Sequence, residues 1–200
     1  MNWVRLKGYI RNIRFSHKIG DVEYYKAEVI TKDDKNRENI INICFKRFSN
    51  NFNENDEIDI VGNIRTFTHQ EKDKNKVDVF VFTYFDKPEE NLLETTTGNS
   101  VIIDGRICKK NELRKTQDGK DVLDFIIANN ICVGETYLNA YIPVCAWGKS
   151  AKAIYKMNIG DILNIEGSLI SRQYKKKISE NDFEIRIAHE INLIRYAVEK

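Results

Sequence analysis

Proline is scarce in this chain, at two residues of 200, and no two cysteines stand in Cys-x-x-Cys spacing. Cys44, Cys108, Cys132 and Cys145 lie 64, 24 and 13 residues apart, which excludes the close ligand pairs of zinc ribbons and dithiol redox centres. Free thiols in a reducing compartment are the expectation. His17, His69 and His189 are isolated, and there is no His-Glu-x-x-His, no phosphate-cradling glycine loop and no nucleophile with a base beside it. The reading is therefore of a non-enzyme, with no catalytic residue, no metal site and no cofactor. No stretch approaches the roughly 18 apolar residues of a membrane span, and Met1-Asn2-Trp3-Val4-Arg5 lacks the apolar core of a signal peptide, so a cytoplasmic protein without a membrane partner is expected. A strong charge bias is also missing. Lys and Arg number 32 against 30 Asp and Glu, and a net charge of +2 gives no wholesale attraction to a polyanion. Any such partner must be met locally.

What is present is β-forming residues. The chain is 42% hydrophobic and 31% charged, too apolar for disorder and too polar for a membrane protein, and its ten Phe, nine Tyr and many Ile and Val favour strands over helices. It also repeats itself. Asn2-Trp3-Val4-Arg5-Leu6-Lys7-Gly8-Tyr9-Ile10 returns 97 residues later as Asn99-Ser100-Val101-Ile102-Ile103-Asp104-Gly105-Arg106-Ile107. Asp56 to Ile64 answers Asp161 to Leu169 at an offset of 105, and Ile41 to Phe45 can be set against Ile142 to Ala146 at 101. The drift places small insertions in loops of the second copy. Between the copies runs a polar, proline-containing stretch without period, so the expected organisation is a first domain over 1–86, a linker over 87–98 and a second domain over 99–200.

Within each copy the period is 2. Val4, Leu6, Gly8 and Ile10 alternate with Arg5, Lys7, Tyr9 and Arg11, as Val101, Ile103, Gly105 and Ile107 do in the second copy. Gly20-Asp21, Asp118-Gly119 and the polar run from Glu71 to Lys76 signal hairpins, and Ser150 to Met157 carries helix formers. The pattern predicts an all-β protein of two tandem five-stranded Greek-key barrels, each with a short helix between its third and fourth strands. That is the OB-fold, whose strand 2–3 surface binds oligonucleotides or oligosaccharides. Gly8, Gly62, Gly105 and Gly167 are expected where strands bend to close so small a barrel.

Four segments of the second half carry a resemblance: Asn99 to Arg106, Glu112 to Lys120, Ile142-Pro143-Val144-Cys145-Ala146-Trp147-Gly148-Lys149, and Gly160-Asp161 with Ile165-Glu166-Gly167-Ser168-Leu169. In order and spacing they resemble the bacterial and phage-type single-stranded DNA-binding protein family, with the first half similar only in outline. The resemblance implies base stacking on the third-strand residues Tyr141 and Trp147 and on Tyr174 in the hairpin after the fourth strand. Strand parity agrees, because Ile142, Val144 and Ala146 form an apolar inner row that sends Tyr141 and Trp147 outward. Arg106, Arg114, Lys149, Arg172, Lys175 and Lys176 are the candidate phosphate contacts beside them. The resemblance thus implies sequence-tolerant binding of single-stranded DNA in replication, recombination or repair.

The first copy differs. Ile40 and Lys46 occupy the places of Tyr141 and Trp147, leaving Arg5, Lys7, Tyr9, Arg65, Phe67 and His69 as a weaker outward set. Residues 1–97 hold 16 basic and 17 acidic groups and residues 98–200 hold 16 and 13, so the first domain reads chiefly as an assembly partner. Two-barrel members of the family pair, which implies a homodimer. The family's long acidic C-terminal tail, which recruits partner enzymes, has no counterpart at Arg195-Tyr196-Ala197-Val198-Glu199-Lys200. Since a fold does not fix a function, a tandem OB-fold module binding RNA or protein stands as the alternative.

Overall fold

Alternating apolar residues with almost no proline give long strands, and here the strands bend instead of breaking. The computed structural model describes residues 1–33, 36–47, 52–71, 74–85, 98–133, 136–177 and 182–199. In chain order the elements are β1 (Asn2–Ile19), β2 (Val22–Lys32), β3 (Glu38–Lys46), β4 (Glu57–Glu71), β5 (Lys74–Phe85), β6 (Asn99–Lys110), β7 (Arg114–Lys115), β8 (Asp121–Val133), β9 (Thr136–Trp147), α1 (Gly148–Tyr155), β10 (Ile162–Lys177) and β11 (Phe183–Val198).

The first ring is closed by antiparallel pairing of β1 with β2 and β4, of β2 with β3 and of β4 with β5, and by a parallel contact of β3 with β5 at Ile43 and Val81. The second repeats it: β6 pairs with β8 and β10, β8 with β9, β10 with β11, and β9 meets β11 in parallel at Val144 and Ile191. This is the Greek-key order of the OB-fold. The alternation places Val4, Leu6, Ile41, Ile43 and Ile60 inside one barrel and Ile103, Leu123, Ile127, Ile142 and Ile165 inside the other, each at most 1% exposed. Burial of such a side chain contributes roughly 1.5 to 3 kcal/mol, so the inner rows set the register.

The bends fall at the repeated glycines. β4 and β10 each bulge, at Val61/Gly62 and at Glu166/Gly167. A Cβ on Gly62 would stand 2.3 Å from the Phe82 carbonyl oxygen and one on Gly167 2.5 Å from that of Asn192, so only glycine admits this approach.

The helix expected in the second barrel is α1, which buries Ala151 and Ile154 against the barrel. In the first barrel no helix occurs among the described residues 52–56 between β3 and β4; residues 48–51 lie outside the described set. The local chemistry explains the difference. Asp and Glu side chains take backbone partners there: the Asp56 carboxylate accepts the Asn53 N–H, and Glu54 accepts the N–H groups of Asn12 and Ile13. Phe52 packs edge-on to Phe45, 5.6 Å between ring centres, beside the core that α1 covers in the other barrel. The proposed linker, residues 87–98, falls almost wholly outside the described residues, which resume at Gly98 after β5 ends at Phe85.

The barrels join through β1 and β6, which pair antiparallel from Asn2↔Ile103 to Leu6↔Asn99 with Val4 opposite Val101. Val4 and Val101 are equivalent residues of the repeat, so the junction has an approximate two-fold axis. The Asn2 amide donates to the Ile64 carbonyl, accepts the Ile64 N–H and reaches across to Asn129. Asn99 does the same with Leu169 and reaches across to Thr31. The outer edges match too. The Ile40 N–H donates to Ser171 Oγ at 2.9 Å, and the Tyr141 N–H donates to Thr66 Oγ1 at 3.1 Å.

Candidate nucleic-acid interface

On a strand facing a barrel core, every second side chain must point out. The β9 residues Tyr141 and Trp147 do so beside a buried inner row, and Tyr174 does so on β10; they are 46%, 45% and 37% exposed. Tyr141 and Trp147 are six residues apart, about 20 Å along a strand rising about 3.3 Å per residue, which is several nucleotides of extended chain. Trp147 is held in place: its indole Nε1–H donates to Asn192 Oδ1 on β11 at 2.9 Å. The Arg172 guanidinium lies 6.0 Å from the Tyr174 ring centre.

The cations around these rings differ in what they already hold. Arg172 contacts Glu190 through two nitrogens at 3.2 Å, and the bond to Glu190, first of all, raises its affinity for the proton. Arg114 contacts Asp124 at 2.7 Å. Arg106 donates to the Gly160 carbonyl at 2.6 Å. Lys149 and Lys175 are exposed. Lys176 lies on β10, but its side chain is outside the described set. The carboxylates reach the middle of the face: burial first, then the charges of Glu190 and Asp124, push the Cys145 thiol up to about 12. Phosphates approaching Arg114 or Arg172 must therefore compete with a carboxylate that is already bonded.

In the first barrel the outward residues sort differently from the sequence reading. Arg5 is buried and forked onto Asp59, both contacts at 2.8 Å, so it is an ion pair at the junction instead of an open cation. Burial would raise the Asp59 carboxyl, but the hydrogen bonds and charge of Arg5 prevail and hold it below the usual range. Lys7 lies 3.4 Å from the same carboxylate. Tyr9 is exposed on β1. Phe67 is 61% exposed on β4, with His69 stacked at 5.9 Å. Arg65 packs over the Phe82 ring at 4.0 Å. Ile40 is half-buried against the second barrel, and Lys46 is exposed.

The sequence reading named Arg65 on this face but not the rings around it. His17 and Tyr24 stack with ring planes 3° apart and centres 4.7 Å apart; Tyr24 lies 6.2 Å from Phe82, a buried ring that Arg65 overlies. His17, Tyr24, Phe82 and Arg65 thus form a row across β1, β2, β5 and β4. The parity of β5, with Val79 and Val81 inside, put Phe80 and Phe82 outside and was the available signal. The β1 bulges that bring His17 opposite Tyr24 left no mark in the alternation.

Three comparisons bear on this arrangement. Residues 98–194 match the model of the single-strand binding protein family. The single-stranded DNA binding protein from Thermus aquaticus superposes on the whole chain with a TM-score of 0.73 at 18% identity, covering 100% of this chain and 93% of that one. A deletion mutant of that protein gives 0.71 at 17%, covering 100% and 95%. At such identity these likenesses show the fold, here in both barrels. No curated protein sequence matches the chain.

Proposed function

We propose that this chain, whose residues 98–194 match the model of the single-strand binding protein family, is a non-enzymatic protein that binds single-stranded DNA by stacking bases on exposed rings and meeting phosphates with cations. The observation that carries the reading is the set of three outward rings, Tyr141, Trp147 and Tyr174, on the barrel that matches the family. Each stacked base is worth roughly 1 to 3 kcal/mol, and every base has a face to stack, so such a surface binds without regard to sequence. Arg106, Arg114, Lys149, Arg172, Lys175 and Lys176 supply the charge, and the exposed His17 with the half-buried Tyr24 on the first barrel extends the surface. Protection of single strands during replication, recombination or repair follows from such binding. The domains are proposed as 1–86 and 99–200 about a linker of 87–98, two chains pair as a homodimer, and the protein works in the cytoplasm. No helix among the described residues is long and apolar enough to cross a membrane.

The test is a titration with oligo-dT followed by tryptophan fluorescence. Strong quenching, weak preference for sequence, preference over duplex and a salt slope of roughly −0.7 log units per phosphate contact are expected. Equal affinity for duplex DNA overturns the reading, and binding of RNA alone favours an RNA module. Light scattering at micromolar concentration tests the dimer.

A further inference from the structure

The outer face of the first barrel holds a cleft of about 180 Å³ next to the His17, Tyr24, Phe82 row. Its walls are Arg14 from β1, Lys26 from β2, Asn42 and Cys44 from β3, and Asp78 and Phe80 from β5. The register explains how four strands contribute: Arg14 lies opposite Lys26, Lys26 opposite Cys44, and Cys44 beside Phe82. Drug-sized ligands occupy roughly 300 to 1,000 Å³, so this space suits one planar heterocycle and no larger molecule.

The chemistry of the walls is two-sided. Arg14 and Lys26 offer hydrogen-bond donors, Asp78 offers a carboxylate, Asn42 offers both, and Phe80 supplies a flat apolar side. Asp78 also lies 3.5 Å from His69. Burial raises the Cys44 thiol against the nearby charges of Lys26 and Arg65, so the floor carries no anion near neutral pH. Guanine matches this pattern best among the bases. Its O6 and N7 acceptors share one edge, the edge that Arg and Lys read, while N1–H and the N2 amino group on the next edge are donors suited to a carboxylate. Adenine presents a donor beside N7, and thymine has a single N–H.

We infer that this cleft is a single-base pocket selective for guanine, which gives an otherwise sequence-tolerant strand binder one preferred base in each bound register. The inference deepens the single-strand reading and rests on it for its biological sense, but a free nucleotide tests it separately. The experiment is a titration of the whole isotope-labelled protein with dGMP, dAMP, dCMP and dTMP, following the backbone amide signals of Lys26, Asn42 and Phe80. dGMP is expected to saturate these signals at a concentration roughly tenfold below the other three. Lys26→Ala and Asn42→Ala should each abolish the preference, whereas Trp147→Ala should leave it intact while weakening oligo-dT binding. Thermal melts confirm that each variant is folded. Equal response to all four nucleotides, preference for a base other than guanine, or a guanine preference that survives both cleft variants overturns the pocket. Loss of oligo-dT binding alone, with dGMP selectivity intact, overturns the stacking reading and leaves the pocket standing.

Discussion

The two barrels share a fold and a repeat but not a surface. At the place where the second barrel has Lys149 and Trp147 at the end of β9, the first has the exposed Lys46. In the middle of the face the contrast reverses. The second barrel has Asp124 and Glu190, each bonded to an arginine, whereas the first has Lys26, Arg65 lying over the buried Phe82 ring, the half-buried Phe80 and, among the described residues, a single carboxylate in the cleft, Asp78. Net charge by halves, −1 against +3, therefore misleads about the local field. Charge on a binding face depends on which ions are already paired, and pairing is a property of neighbouring strands.

Glycine substitutions test what the barrels have in common, and they carry the largest expected effect. Gly62→Ala and Gly167→Ala each drive a methyl into a carbonyl oxygen and should each cost about 3 kcal/mol or more in stability. Because β1 and β6 join the rings, both variants should show one lowered melting transition by calorimetry. Two separate transitions would show that the barrels fold independently.

Removal of stacking rings comes next and sets the barrels against each other. Tyr141→Ala, Trp147→Ala and Tyr174→Ala should each weaken oligo-dT binding by about 1 to 3 kcal/mol, with melts nearly unchanged because the rings are exposed. Tyr24→Ala should cost about 1 kcal/mol and Tyr9→Ala less, since Tyr24 stacks in the first-barrel row. If Tyr24→Ala costs as much as Trp147→Ala, the two barrels contribute equally and the asymmetry is gone.

A smaller effect sharpens the electrostatic difference. Glu190→Gln keeps the shape but removes the carboxylate charge from Arg172, which then meets a phosphate without a rival. Affinity for oligo-dT should rise at low salt, and the salt slope should steepen by roughly 0.7. An unchanged slope would show that Arg172 does not touch the strand.

The smallest effect concerns the join. His189 Nε2–H donates to the Ile40 carbonyl at 2.8 Å, and burial lowers its pKa below the ordinary 6.5. The charges of Asp78 and Glu28 act the other way, though less strongly. The unfolded chain therefore binds the proton more readily, so this contribution to stability is present above about pH 6.5 and is lost as the pH falls below it. Melting temperatures of the parent protein against His189→Gln between pH 7.5 and 5 should diverge at the upper end and converge at the lower. Parallel curves would assign no linkage to His189.

The sequence by itself determined the two rings of strands, because apolar residues at every second position leave one burial solution per strand. It also determined which residues face outward on β9 and β10: Ile142, Val144 and Ala146 fix Tyr141 and Trp147 by parity alone. The repeat set Asn2 against Asn99 and Val4 against Val101, but it did not show that β1 and β6 would join there, or that Asn2 and Asn99 would clamp Ile64 and Leu169 and reach across to Asn129 and Thr31. Tertiary structure alone decided which outward residues are available. Arg5 alternates outward like Lys7, yet the neighbouring β4 presents Asp59 to it and β6 covers it. The row of His17, Tyr24, Phe82 and Arg65 joins two hairpins, β1–β2 and β4–β5, brought together by the β1 bulges and the parallel closure of β3 with β5. Parity is a local property of one strand and can be read from its residues, whereas pairing, coverage and clefts arise between strands, where linear order carries no distance.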